Sequence, residues 1–176
     1  VDPGYSHYYA ILAAHVDTAA QRVTIFDEIC EQGKLADDLI KMAKLRPWWP
    51  NVSVIIMDKA GKQHLGSISQ AEEWAGKTGK RVVMNNVPIQ DGILRYRTFL
   101  KEDPITGLPR MVFHPRCKRL IEEQSLYMNS KDSEGRPVSE LPVDRDNDAV
   151  KALTYLLVGC FGLVQTRKRQ RVTVRY

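Results

Sequence analysis

The alternation of apolar and polar positions divides the chain into short strands and helices. Residues 8–16 (YYAILAAHV) and 23–30 (VTIFDEIC) are β-rich runs on either side of the polar stretch 17–22, which predicts an antiparallel pair. Leu35, Leu39, Ile40 and Ala43 then recur at helical spacing, and Pro47 ends that run. Residues 52–57 (VSVIIM) are continuously apolar apart from one serine, as in a strand buried on both faces. Ile68, Ala71, Trp74 and Ala75 mark a second helix, stopped between Gly76 and Gly79. A short strand at 81–84 follows, then a helix carried by Ile89, Ile93, Tyr96 and Leu100. Residues 111–113 form another short strand, and Cys117, Leu120, Ile121 and Gln124 begin another helix. The stretch 131–142 (KDSEGRPVSELP) reads as a polar loop, long enough to be mobile or functional. Residues 146–161 form a last helix that is apolar nearly all round and therefore central. Two antiparallel strands followed by strand–helix alternation predict an α/β fold, a mixed β-sheet flanked by helices.

Composition narrows the class. A chain of 176 residues is long enough to bury one proper core. Its longest apolar run, 152–164, is too short to span a bilayer and is expected to be buried, so no membrane partner is expected. No charged-then-apolar leader opens the chain. Cys30, Cys117 and Cys160 are odd in number and far apart, without a C-x-x-C pair, which excludes the usual zinc patterns and fits a reducing, cytoplasmic compartment. Of the 26 Lys and Arg, five (Arg167, Lys168, Arg169, Arg171 and Arg175) crowd the acid-free end, and the remainder match the 21 Asp and Glu. The net charge of +5 therefore resides in a C-terminal tail, 163–176, that attracts polyanions, while 1–162 form the domain proper. The opening Val1-Asp2-Pro3-Gly4 has no lead-in to its acid, as expected of a fragment of a longer protein.

Three acids stand where a sheet would gather them. Asp2 precedes a Pro-Gly turn at the mouth of the first strand, Asp58 ends the most apolar strand, and Asp148 opens the last helix. Clustered carboxylates raise one another's pKa, and a divalent cation removes that cost. Mg²⁺ accepts oxygen ligands and keeps several waters, so two or three carboxylates suffice. Each acid has a plainer reading: Asp2 as a turn residue and Asp148 as a helix cap. Asp58 has the least other reason to be there.

The order of several short segments adds weight. Val1-Asp2-Pro3-Gly4, Phe26-Asp27-Glu28-Ile29 and Asp37-Asp38-Leu39-Ile40 resemble the opening of the nuclease domain of phage large terminase subunits. So do Gln90-Asp91-Gly92-Ile93 with Arg95, Phe113-His114-Pro115-Arg116-Cys117-Lys118 with Leu120-Ile121-Glu122-Glu123, and Pro142-Val143-Asp144 leading into 149–155. The resemblance implies a ribonuclease H-like fold with helices on both sheet faces. It also implies a metal-dependent endonuclease that cuts concatemeric double-stranded DNA during viral genome packaging in the host cytoplasm. By the same resemblance, one or two Mg²⁺ or Mn²⁺ ions serve as cofactor. Expected partners are an N-terminal packaging ATPase of the same polypeptide, the portal and the small terminase subunit. Asp2 and Asp58 match the first two metal-binding acids. The family's last helix carries His and Asp where this chain has Asp148 and Lys151. Asp148 reaches the same cleft from one turn earlier, with Asp144 and Asp146 in reserve. Phosphodiester hydrolysis then needs no side-chain nucleophile, because ions held by the carboxylates would activate water.

Lys59 and Lys62 follow Asp58 and, with Arg167, Lys168, Arg169 and Arg171, are the candidate DNA contacts, which would fix position without reading sequence. Trp48, Trp49 and His114 are expected to pack, and Arg95, Arg97, Lys101, Arg116, Lys118 and Arg119 to lie on solvated helix faces. Residues 61–66 are not a phosphate-binding loop, so no ATPase activity is expected. Another ribonuclease H-like enzyme, a resolvase or transposase core, shares the acids but not the ordered segments. A catalytically silent domain that docks DNA or the portal is the rival from outside the enzymes.

Overall fold

A computed structural model describes residues 1–4, 7–59, 69–127, 129–131, 134, 136–142 and 147–164. The strands are β1 (Tyr8–Asp17), β2 (Arg22–Gln32), β3 (Val54–Asp58), β4 (Arg81–Asn85), β5 (Met111–Phe113), β6 (Asn129–Lys131) and β7 (Pro137–Pro142). The helices are α1 (Ala36–Lys44), α2 (Gln70–Thr78), α3 (Ile89–Leu100), α4 (Lys118–Leu126) and α5 (Asp148–Phe161), with a short 3-10 turn at Trp49–Asn51. The chain is thus a mixed α/β fold. Among the described residues its strands form three hydrogen-bonded sheets, β1-β2-β5, β3-β4 and β6-β7, where one continuous sheet was expected. The β6-β7 hairpin corrects the reading of 131–142 as a loop. Its sequence lacks an apolar alternation, and its prolines stand at the ends of β7, where the ladder tolerates them.

The first sheet carries helices on both faces, and strand alternation explains how. Ala10 and partly buried Leu12 and Ala14 of β1 face α3, α4 and α5, joining Tyr96, Phe99, Leu120, Leu153 and Leu157. Tyr9 and Ile11 face the other way, against Leu39 and Ile40 of α1 and Trp74 of α2. On β2, Ile25 lies in the first cluster and Ile29 in the second, although four residues separate them. A bulge resolves this: Ala13 pairs with Asp27 but Ala14 with Ile25, so the extra residue Phe26 reverses the facing of β2. Buried side chains of this size contribute roughly 1.5–3 kcal/mol each. The buried indole Nε1 of Trp74 donates to the Tyr9 hydroxyl at 2.7 Å, so the deepest aromatic pair leaves neither polar atom unsatisfied.

Local signals set the helix ends. Ser69 and Glu72 form a reciprocal capping box at the start of α2, and Gly79, at φ 64°, ends it in the left-handed region that glycine adopts freely. Helix α5 packs on β1 of the first sheet and on β3 and β4 of the second. Gly159 allows that close approach, since a Cβ there would meet Ile56 Cγ2 at 2.8 Å and Asn85 Nδ2 at 2.6 Å. No described helix is long and apolar enough to cross a membrane.

Candidate active site

Asp2 lies between the two sheets. Its N–H donates to the Ala10 carbonyl at 2.8 Å and its carbonyl accepts the Ala10 N–H at 3.0 Å, an isolated antiparallel bridge to β1. The Val1 amine donates to the Ile56 carbonyl of β3 at 2.7 Å. Asp2 is therefore part of the β framework, and Gly4 lies close against the start of β1, where a Cβ would stand 2.6 Å from the Tyr8 carbonyl oxygen. Asp58 ends β3 in register with Asn85 of β4. Asp148 is the first residue of α5, and its Oδ2 accepts the Tyr8 N–H at 3.2 Å. This carboxylate faces β1 and does not cap its own helix.

Asp2 senses both of the other acids. Burial pushes the Asp2 carboxyl up to about 7, Lys151 opposes that shift, and Asp148 and Asp58 add to it. Asp2, Asp58 and Asp148, from three different elements, thus share one electrostatic neighbourhood with Lys151, which follows Asp148 on α5. A hard divalent cation suits these donors in kind, since carboxylate oxygens are what it prefers and its charge would offset their repulsion. Their present arrangement is not a finished cage: among the described residues no three Asp, Glu, His or Cys side chains are positioned to hold an ion. The buried amide nitrogen of Asn85, opposite Asp58, also has no hydrogen-bond partner.

A second group of acids was not singled out by sequence. Glu28 of β2 accepts the N–H groups of Arg119 at 2.7 Å and Leu120 at 3.0 Å, in the first turn of α4. Glu123 of α4 is fully buried, and its Oε2 accepts the N–H groups of Ala149 at 2.8 Å and Val150 at 3.1 Å, in the first turn of α5. Its other oxygen takes the Arg119 Nε at 2.8 Å. Burial raises the Glu123 carboxyl, while these amides and Arg119 hold it down. Neither helix has a side-chain cap from its own N-cap residue, Cys117 or Asn147. Both acids stand in segments that carried the resemblance, but neither those segments nor the missing local caps identified their role. Glu123 thus anchors the first turn of α5, the helix that begins with Asp148.

Several basic and aromatic candidates have definite places. Lys59 is exposed immediately after Asp58. Lys62, Arg167, Lys168, Arg169 and Arg171 lie outside the described residues, as do Asp144 and Asp146. Arg95 donates to the Gly162 carbonyl at 2.7 Å and to Phe161 at 3.1 Å, capping the end of α5, so it is not simply a solvated face. Arg119, likewise, is committed to Glu123 and stacks on the Tyr8 ring at 4.3 Å. Trp48 donates to Asp27 Oδ2 at 2.6 Å and Trp49 packs against Trp74, as expected of packing residues. His114 takes the Arg116 N–H at its Nδ1, a local turn contact.

This fold has known counterparts. The chain superposes on the g2p large terminase nuclease domain of bacteriophage SPP1, whose crystal structure holds bound Mn. The TM-score is 0.64 at 17% identity, covering 88% of this chain and 80% of that one. It superposes also on the P22 large terminase nuclease domain, with a TM-score of 0.61 at 19% identity, covering 88% of this chain and 75% of that one. The fold is therefore that of phage large terminase nuclease domains. No family model matches the chain, and no curated protein matches it in sequence.

Proposed function

We propose that residues 1–162 are a ribonuclease H-like, metal-dependent DNA endonuclease domain of a viral packaging terminase, and that 163–176 are a basic tail. The observation that carries this reading is a fold shared with two terminase nuclease domains, and Asp58 and Asp148, both close enough to the buried Asp2 carboxyl to raise it, support the choice of site. Asp2, Asp58 and Asp148 would hold one or two Mg²⁺ or Mn²⁺ ions, and the neighbour with bound Mn supports a cation of that class. When bound, such ions lower the pKa of water and neutralise charge on the phosphate and the leaving oxygen. The protein's own share is orientation. The Tyr8 N–H aims one Asp148 oxygen, Glu123 anchors the turn that carries it, and the Ala10 bridge fixes the backbone of Asp2. Lys59, Lys62, Arg167, Lys168, Arg169 and Arg171 serve as phosphate contacts on double-stranded DNA. The packaging ATPase, the portal and the small terminase subunit are the proposed partners, and the host cytoplasm is the compartment.

One observation favours a second reading. Lys151 already supplies positive charge beside Asp2, as in a domain that docks DNA or the portal without cutting. Nicking of supercoiled plasmid in Mg²⁺ or Mn²⁺, compared with EDTA, separates the two. Metal-dependent conversion to open circles supports the nuclease. Binding without conversion in either metal supports the silent domain, and undiminished cutting in chelator overturns the metal-dependent mechanism.

A further inference from the structure

Side-chain alternation places a neutral amide in line with two of the acids. Ile55 and Met57 of β3 and Val82 and Met84 of β4 pack into the second apolar cluster, so Ile56, Asp58 and Asn85 turn to the other face. That face carries α5, since a Cβ on Gly159 would meet Ile56 Cγ2 at 2.8 Å and Asn85 Nδ2 at 2.6 Å. Val1 packs against the second cluster, as Met57 does, and its amine donates to the Ile56 carbonyl. In a parallel ladder that bond sets Val1 level with Met57, and hence Asp2 level with Asp58. An antiparallel ladder would pair Val1 with Ile56, whose side chain faces the opposite way. Asn85 is the registered partner of Asp58 on β4. Asp2, Asp58 and Asn85 therefore stand side by side on one face, at steps of about 4.8 Å, with Asp58 in the middle.

The Asn85 amide does not settle where it stands through its nitrogen, because Nδ2 is buried against α5 without an acceptor. Leaving a buried donor unpaired is costly, and one strand away is a carboxylate with several lone pairs. A half-turn of the amide about its last side-chain bond exchanges its two polar atoms. Oδ1 then rests on the Gly159 Cα–H, a weak favourable contact, and Nδ2 leaves the helix. Gly159, lacking a Cβ, leaves the amide room to turn. We infer that Asn85 is a positioning residue of the proposed metal site: its amide donates to one Asp58 carboxylate oxygen from the β4 side and leaves the other oxygen to a cation on the Asp2 side. A neutral donor aims a carboxylate without cancelling the charge that attracts the ion, which an ammonium group would do. The inference rests on the reading of Asp58 as a metal ligand.

The test measures Mn²⁺ affinity by titration calorimetry, and melting temperature without metal, in the chain as given and in two variants. Asn85→Leu, an apolar isostere that cannot donate, should weaken Mn²⁺ binding at least about tenfold. Its metal-free melting temperature should change little, since an apolar group of the same shape replaces an amide whose buried nitrogen has no partner. Asn85→Ala should show the same loss of affinity, and it serves where leucine is not accommodated beside Gly159. Unchanged Mn²⁺ affinity in a folded variant overturns the inference. A marked fall in metal-free melting temperature in both variants would make Asn85 a packing residue and overturn it too. Failure of the metal reading itself looks different: the chain as given then binds no Mn²⁺, and this inference falls with it.

Discussion

Two groups of carboxylates lie in this molecule and differ in what surrounds them. Glu28 and Glu123 face the first turns of α4 and α5, where free N–H groups and the positive end of the helix dipole meet them. Asp2 instead has like charge near it, since Asp58 and Asp148 both raise its carboxyl while Lys151 opposes them. The first group replaces water with donors of fixed geometry and stabilises the fold. The second concentrates like charge at a meeting point of β1, β3 and α5, which costs stability unless a cation or a proton is supplied. Burial alone therefore does not separate structural acids from functional ones; the sign of their neighbours does.

The sharpest test of that contrast is a pair of substitutions with opposite outcomes. Asp58→Asn should lower metal-dependent plasmid nicking at least about 100-fold, since even outer partners of metal sites are worth 10–100-fold. Its melting temperature should not fall, because removing a like charge relieves the site. Wild-type nicking by this variant would place the metal elsewhere. Glu123→Ala should do the reverse and cost about 3 kcal/mol or more in denaturant unfolding, since it leaves the α5 amides and Arg119 without their buried partner. Glu123→Gln retains an acceptor for the amides and should cost less.

Lys151→Asp sharpens the second group by turning its largest opposing charge into another carboxylate. Mn²⁺ affinity, measured by titration calorimetry, should rise on the order of tenfold or more. Unchanged affinity would mean that Lys151 does not face the ion.

A gentler probe is pH. The Asp2 carboxyl is raised from an ordinary 3.8 to about 7 in the folded chain, so between these values the folded state binds more protons than the unfolded state. Stability from this group is then greatest below about 4 and declines as pH rises towards 7. Metal-free protein should melt progressively lower across that window, and Asp2→Asn should remove this part of the decline. A wild-type and variant profile that run parallel would refute the assignment to Asp2.

The smallest effect belongs to acids of neither kind. Asp37 pairs with Lys41 and Lys77 on the surface, where solvent screens the pairs. Lys77→Gln should leave melting temperature and nicking without resolvable change.

Much of the architecture was legible from residue pattern. The run 111–113 and the helix carried by Ile89, Ile93, Tyr96 and Leu100 coincide with β5 and α3, because period-2 and period-3.6 burial write themselves directly into sequence. The β6-β7 hairpin was missed because it has no apolar alternation, and its pairing rests on backbone groups that every residue carries. Asp2, Asp58 and Asp148 could be picked out as acids at the ends of core elements. That they share one electrostatic neighbourhood follows only from the way α5 and β3 converge on β1. The capping roles of Glu28 and Glu123 had no counterpart in the pattern, since their partners lie 91 and 26 residues away. Local chemistry determined where strands and helices form. Long-range packing decided which charges meet, because a buried carboxylate's role depends on partners that its own segment does not contain.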